Sequence, residues 1–130
     1  NIIGLIGHDE AGETLKSLLQ ARGAAIDGLV HAEDRNTITK TRYLAGAQHI
    51  LRMDDETVIP AVEGLERKIM AAITAAVTGA DVMILSDYGK GVLTAGVIGH
   101  ALAMARKQDI PVLIDPKGAD YSIYKGAHYV

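Results

Sequence analysis

Three cations lie in a stretch with strand-like alternation. Lys40 and Arg42 are two residues apart, so they share one face of a strand, and Arg52 follows on a second strand. An arginine fork beside the point charge of a lysine suits a phosphate group, and Gln48 and Asp54 add hydrogen-bonding groups for sugar hydroxyls. The same pattern fits a sheet edge whose charges face water and discourage aggregation. The spacing alone leaves both interpretations open.

Two polar loops each follow an apolar, strand-like run. The first loop carries Asp87 and Lys90, and the second carries Asp115 and Lys117 followed by Gly118. In open parallel sheets, ligands bind beside the carboxyl ends of the strands, so both loops are candidate sites for hydroxyl and phosphate groups. Asp-Pro and Tyr-Gly are also common turn residues, so simple chain reversal is the alternative interpretation of the two loops.

Composition limits the classes of partner. The chain has 130 residues, of which 48% are hydrophobic, and its 13 basic and 16 acidic residues give a net charge of −3. That size fits one globular domain or part of one, and the charge favours neither nucleic acid nor an anionic membrane as a partner. The absence of cysteine excludes disulfides and thiolate chemistry and is compatible with a reducing cytosol. We expect a soluble protein without a membrane span.

Several familiar motifs are missing from the sequence. The five histidines are dispersed without metal-ligand spacing, so we predict no metal ligands and no catalytic triad in this chain. Neither a P-loop nor a GxSxG elbow is present. Gly4, Gly7 and Gly12 depart from the dinucleotide-binding spacing, which leaves a nicotinamide site as a weak alternative.

The periodicity predicts the elements that must position these residues. We expect a buried strand over 1–6, a helix from an Asp9 N-cap to Gly23, and a short strand near residues 29–30. A hairpin with strands over 37–44 and 48–53 then follows, with Thr37, Thr39, Thr41 and Tyr43 on one face. The remaining expected elements are a helix over 58–77 with Pro60 in its first turn, a strand over 82–85, a helix from a Thr94 N-cap to about 107, a strand over 111–114 and the start of another over 128–130.

This order predicts an α/β fold with a mainly parallel sheet flanked by helices. The hairpin is inserted between the first and second strand-helix units and is polar on part of each strand. We interpret it as a flap or lid that stands off the main sheet.

Four ordered segments closely resemble one family. Residues 37–42, 48–54, 85–91 and 111–118 resemble, in order and approximate spacing, the heptose 7-phosphate kinase branch of the PfkB/ribokinase-like sugar kinases. That kinase is often the first half of a bifunctional kinase and adenylyltransferase. The family fold is a large α/β domain with a small β lid. The resemblance implies that residues 1–130 are a central fragment of a ribokinase-like kinase domain, with the lid hairpin at about 37–54.

The resemblance also implies an activity. The family uses ATP and Mg²⁺ to phosphorylate the anomeric hydroxyl of heptose 7-phosphate, giving the 1,7-bisphosphate on the route to ADP-heptose for lipopolysaccharide. It further implies a cytoplasmic enzyme that forms a homodimer through the lid. On this resemblance the sugar phosphate would be held by Lys40, Arg42, Gln48, Arg52 and Asp54 on or beside the lid, with Asp87 and Lys90 lining the sugar site. Asp115 and Lys117 would face the transferred phosphates of the nucleotide.

The chain departs from the family pattern at segments that matter for catalysis. The early glycine-rich substrate segment, the NxxE segment and the late GAGD segment with the catalytic aspartate are absent from these 130 residues. We therefore assign no catalytic residue to this chain and expect it to be inactive alone. The alternative interpretation is a non-catalytic module that binds sugar phosphate or mediates dimerisation.

Overall fold

A computed structural model describes residues 1–117 and 120–130 of the chain. Gly118, the last residue of the second predicted loop, lies outside the described residues. The elements in chain order are β1 (Ile3–Ile6), α1 (Glu10–Ala21), β2 (Gly28–His31), β3 (Thr39–Ala45), β4 (Gln48–Asp55), α2 (Glu63–Val77), β5 (Met83–Ser86), α3 (Ala95–Lys107) and β6 (Val112–Asp115), followed by a 3-10 turn over Ser122–Tyr124.

The parallel strands form two pairs. β1 pairs with β2, and β5 pairs with β6, each in parallel register. Each pair is joined by a crossover through a helix, as parallel neighbours require. Tyr129 forms a parallel bridge with Leu113, so the expected strand start near the last residues lies beside β6. Among the described residues the two pairs are separate sheets, whereas the sequence analysis predicted one mainly parallel sheet.

The core lies between the helices and the strand pairs. α2 packs against α3 and against β1 and β2. The predicted periodicity of α2 holds for Leu65, Ile69, Ile73 and Val77, which are all buried, whereas Val62 at the N-cap is exposed. α3 buries five residues of its own at helical spacing: Val97, Ile98, Ala101, Leu102 and Ala105. This apolar layer holds β5 and β6, and therefore the loops that follow them, in fixed positions.

Both predicted side-chain caps are present. Asp9 accepts a hydrogen bond from the Gly12 amide at 2.8 Å at the start of α1. Thr94 accepts one from the Val97 amide at 3.2 Å at the start of α3. Each cap satisfies a backbone N–H that has no partner within its own helix.

The prediction that α2 begins near residue 58 was wrong. The helix starts at Glu63, and Pro60 lies before it in irregular chain rather than in its first turn. Other parts of the protein engage this segment: the Pro60 carbonyl accepts from the Arg35 guanidinium at 3.3 Å, and the Ala61 amide donates to the Gly91 carbonyl at 2.8 Å. Backbone groups engaged in this way are unavailable for a helical turn.

The hairpin also begins later than predicted. β3 starts at Thr39, and Thr37 is buried against the body of the protein instead of lying on the hairpin face. The Thr37 hydroxyl accepts from the Gly7 amide at 2.8 Å, and its own amide donates to Asp9 at 2.7 Å. These two contacts fix the entry to the hairpin before strand pairing begins.

No helix within residues 1–117 and 120–130 is both long enough and apolar enough to cross a lipid bilayer.

Candidate functional site

The hairpin has one charged face and one apolar face. Lys40 lies opposite Asp54 and Arg42 lies opposite Arg52, so these four side chains share a face. The alternate positions form the other face, where three large apolar side chains are about half exposed: Tyr43, Leu51 and Met53. An irregularity between Tyr43 and Leu44 shifts the register towards the tip. Between Lys40 and Tyr43 on β3, and between Leu51 and Asp54 on β4, the alternation therefore places the charged and the large apolar side chains on opposite faces. The more exposed Leu44 and Ile50 lie at the irregularity nearer the tip.

Five charged side chains form a continuous network that we call the charged cluster: Lys40, Arg52, Asp54, Glu56 and Lys90. Within it, Asp54 accepts from Lys40 Nζ at 2.7 Å and from Arg52 Nε at 2.7 Å. Glu56 accepts from Lys40 Nζ at 3.1 Å and from Lys90 Nζ at 2.7 Å. Lys90 follows β5, so the cluster connects the hairpin to the loop at the end of that strand.

The pKa shifts in the charged cluster follow from these contacts. Hydrogen bonds from Arg52 and then Lys40 lower the pKa of Asp54 from 3.8 to about 2. Hydrogen bonds from Lys90 and Lys40 lower the pKa of Glu56, and those to Asp54 and Glu56 raise the pKa of Lys40. Lys40, Arg52, Asp54 and Glu56 are therefore ionised at neutral pH.

Two of the predicted hairpin residues lie outside this network. Arg42 is exposed on the charged face, directly opposite Arg52, and forms no ion pair with any described residue. Its guanidinium is the part of the charged face that stays available to an added anion. Gln48 lies at the tip of the hairpin opposite Ala45, roughly 13 Å along the strand from Arg52. The structure therefore does not bring Gln48 to the cations with which the sequence grouped it.

The two strand-end loops meet, as their position after neighbouring parallel strands predicts. The Asp87 amide donates to the Asp115 carbonyl at 2.8 Å. Lys117 reaches the first loop, because a Cβ built on Gly89 would lie 3.8 Å from its Cδ. We call Asp87, Asp115 and Lys117 the strand-end cluster. Its two carboxylates and one ammonium lie at the carboxyl ends of β5 and β6, where ligands bind in such sheets.

The Asp87 carboxylate is held by two donors. One oxygen accepts from the Gly89 amide at 2.7 Å, which is a local turn contact, and the other accepts from the Tyr124 hydroxyl at 2.6 Å. Burial and the hydrogen bond to Asp87 raise the pKa of Tyr124 to about 12. The carboxylate therefore supports the turn and is also fixed from the far side of the loop.

Sequence reasoning missed several residues that shape this site. Glu56 is two residues beyond Asp54, and strand alternation continued past Asp55 would have placed it on the charged face. Arg35, which is 9% exposed, donates to the Ile59 carbonyl at 2.8 Å and pairs with Asp34 at 2.9 Å. No local sequence pattern predicts the hydrogen bond from Arg35 to Ile59, because Ile59 lies 24 residues further along the chain.

Comparison with known proteins gives close relatives along nearly all of the chain. It is 41% identical over 126 residues to a protein of Granulibacter bethesdensis and 45% identical over 126 residues to one of Pelobacter propionicus, both named "Bifunctional protein HldE". Each match covers 97% of this chain and 26% of the relative. Over that span the chain is a close homologue of these HldE proteins. It spans about a quarter of the length of the curated relatives it matches. No family model matches it.

Solved structures show the fold. A ribokinase from Giardia lamblia matches with a TM-score of 0.61 at 14% identity, covering 92% of this chain and 36% of the ribokinase. A structure titled "Crystal Structure of Sa239" matches with a TM-score of 0.64 at 13% identity, covering 91% of this chain and 37% of that one. The predicted ribokinase-like α/β fold is confirmed, and the 130 residues form part of such a domain.

Proposed function

We propose that the full-length protein containing this chain is an ATP-dependent sugar kinase that phosphorylates the anomeric hydroxyl of heptose 7-phosphate. One observation carries the proposal: the charged face of the hairpin is joined through Glu56 and Lys90 to the loop at the end of β5. This arrangement supports a site that closes over a sugar phosphate from one side while strand-end groups line it from the other. The HldE relatives and the ribokinase-like fold support the same reaction class.

The charge of the site suits its proposed substrate. The charged cluster together with Arg42 holds four cations and two carboxylates, which leaves a net charge of +2. A phosphate monoester carries a charge of about −1.5 to −2 at neutral pH. Lys40, Arg42 and Arg52 are the groups proposed to hold that phosphate, with Arg42 already free of protein partners among the described residues.

The strand-end side supplies the remaining proposed contacts. Asp87 and Lys90 line the sugar, and Asp115 and Lys117 face the phosphates of the nucleotide. Asp115 and Lys117 would suit Mg-ATP chemically, because Mg²⁺ prefers carboxylate oxygens and a lysine is a common partner for phosphate. When bound, ATP would supply the phosphoryl group and Mg²⁺ would neutralise charge on its oxygens. The part of the chain described here orients the acceptor and the phosphates, and we propose that the carboxylate that deprotonates the hydroxyl lies outside these 130 residues.

The test is ADP release by the full-length protein with Mg-ATP and a panel of sugar phosphates that includes heptose 7-phosphate. We expect turnover with heptose 7-phosphate, and none from the 130-residue chain alone. Lys40→Ala should abolish turnover, whereas Lys68→Ala, which removes an exposed lysine on α2, should leave it unchanged. Absence of turnover with every sugar phosphate would refute the kinase assignment. A Lys40→Ala variant with wild-type KM would refute the role of the hairpin.

A second candidate role is dimerisation, favoured by the apolar face of the hairpin. Tyr43, Leu51 and Met53 are 48%, 49% and 54% exposed, an unusual concentration on one small element. We propose that a second copy of the protein covers this face. Leu51→Lys should give a monomer in sedimentation velocity, whereas Leu18→Lys, at a 54% exposed leucine on α1, should not. A dimer that survives Leu51→Lys would exclude the interface.

A further inference from the structure

Glu56 contacts charged side chains of both the hairpin and the loop after β5. It follows directly after β4, where the chain returns from the hairpin to the body, and its side chain is 23% exposed. Its carboxylate accepts from Lys40 on the hairpin and from Lys90 on the strand-end loop. Among the described residues it is the one side chain bonded to cations on both sides of the proposed site.

The two lysines depend on Glu56 to different degrees. Lys40 has a second carboxylate partner in Asp54 at 2.7 Å, so it stays neutralised on the hairpin without Glu56. Lys90 has Glu56 as its one ion-pair partner among the described residues. Removal of the Glu56 charge therefore breaks the ionic connection between hairpin and loop and leaves the Lys90 ammonium without a carboxylate partner among the described residues.

We propose that Glu56 is a positioning residue that fastens the hairpin to the loop carrying Lys90 and thereby sets the spacing of Lys40 and Lys90 for the substrate phosphate. The inference rests on the proposed function. It assigns Glu56 no contact with the reacting atoms. The opposite role would be that of a competitor, in which Glu56 occupies the position of the phosphate and must be displaced, and the two roles predict opposite changes in substrate affinity.

The test uses steady-state kinetics of the full-length protein. Glu56→Gln keeps the shape of the side chain and removes its charge, and we expect the KM for the sugar phosphate to rise about tenfold while the KM for ATP changes little. Glu56→Asp restores the charge on a shorter side chain and should recover part of that loss. Glu63→Gln is the matched control, because Glu63 pairs with Arg67 on the exposed surface of α2.

A second measurement follows the hairpin connection without requiring activity. The Ala61 amide donates to the Gly91 carbonyl, just beyond Glu56, and its hydrogen exchange reports opening of this junction. We expect faster exchange in Glu56→Gln than in the wild type or in Glu63→Gln, each without substrate.

The outcomes separate the two proposals. A lower KM for the sugar phosphate in Glu56→Gln would identify Glu56 as a competitor of the substrate and overturn the positioning role. An unchanged KM would also overturn the positioning role. If the wild-type protein turns over no sugar phosphate, the proposed function fails and hydrogen exchange alone decides whether Glu56 fastens the hairpin. Unchanged exchange in that case overturns the inference as well.

Discussion

Gly91 is the position where we expect a single added methyl group to destabilise the fold most. It has a φ of +85°, and a Cβ built there would lie 1.9 Å from the Ile59 carbonyl oxygen and 2.6 Å from its carbon. Both atoms belong to backbone that Arg35 also holds, so they cannot swing aside as a side chain would. We therefore expect Gly91→Ala to push the segment after the hairpin away from the strand-end loop.

The magnitude has two parts. A left-handed conformation costs a residue with a Cβ about 1–2 kcal/mol, and forcing extra volume into packed structure costs about 1–3 kcal/mol more. Gly79 isolates the first part, because its φ is +78° and a Cβ there would meet no atom within 4 Å. Gly79→Ala should thus destabilise by about 1–2 kcal/mol, and Gly91→Ala by about 2–5 kcal/mol.

Each substitution is tested by urea unfolding of the full-length protein. The unfolding free energies are compared between variants whose unfolding free energy depends on urea concentration with the same slope. Gly91→Ala should also raise the KM for the sugar phosphate, since the displaced segment carries Glu56 only three residues before Ile59. Equal losses of stability in the two variants would refute the steric argument. They would show that glycine is required at position 91 by its backbone conformation and not by the close approach of Ile59.

The remaining predictions concern Asp54 and Tyr124. Because the pKa of Asp54 is lowered, its ion pairs stabilise the fold above pH 3.8, and this contribution is lost as the pH falls through about 2. The difference in unfolding free energy between wild type and Asp54→Asn, measured by urea unfolding, should therefore shrink over that pH range, and a constant difference would contradict the prediction. Tyr124→Phe should cost about 1–2 kcal/mol at neutral pH by removing the hydrogen bond to Asp87. Because the pKa of Tyr124 is raised, its contribution is complete below pH 10 and is lost as the pH rises through about 12, so the gap between wild type and Tyr124→Phe should narrow there. A gap that stays constant between pH 9 and 12 would show that the hydroxyl is not held as described.

Local pattern was sufficient for much of the fold and for part of the site. The Asp9 and Thr94 caps were predicted correctly, because a cap depends on groups within one turn of the chain. The apolar spacing of α2 and the existence of the hairpin followed from periodicity in the same way. Lys40 and Arg42 do share one face, as their strand positions predicted, and the strand register adds Arg52 and Asp54 to it.

Tertiary contacts decided where the elements begin and end around the hairpin. Pro60 fits the first turn of a helix by local rules, yet hydrogen bonds to Arg35 and Gly91 hold that stretch outside the helix. Thr37 fits a strand by its β-branched side chain, yet Asp9 and Gly7 bind it to the body. In both cases the hydrogen-bonded partners are 25 to 30 residues apart in the sequence, beyond the reach of local propensity.

Composition, periodicity and motifs were enough to assign the class of the protein: an α/β chain with polar loops after its strands, a cationic hairpin between its first two units, and four segments that resemble one family. The ion pairs, in contrast, depend on packing across the fold. Packing joined Lys40 and Lys90 through Glu56 and left Arg42 unpaired among the described residues. Side-chain periodicity acts over a few residues, whereas an ion pair forms wherever packing brings opposite charges together.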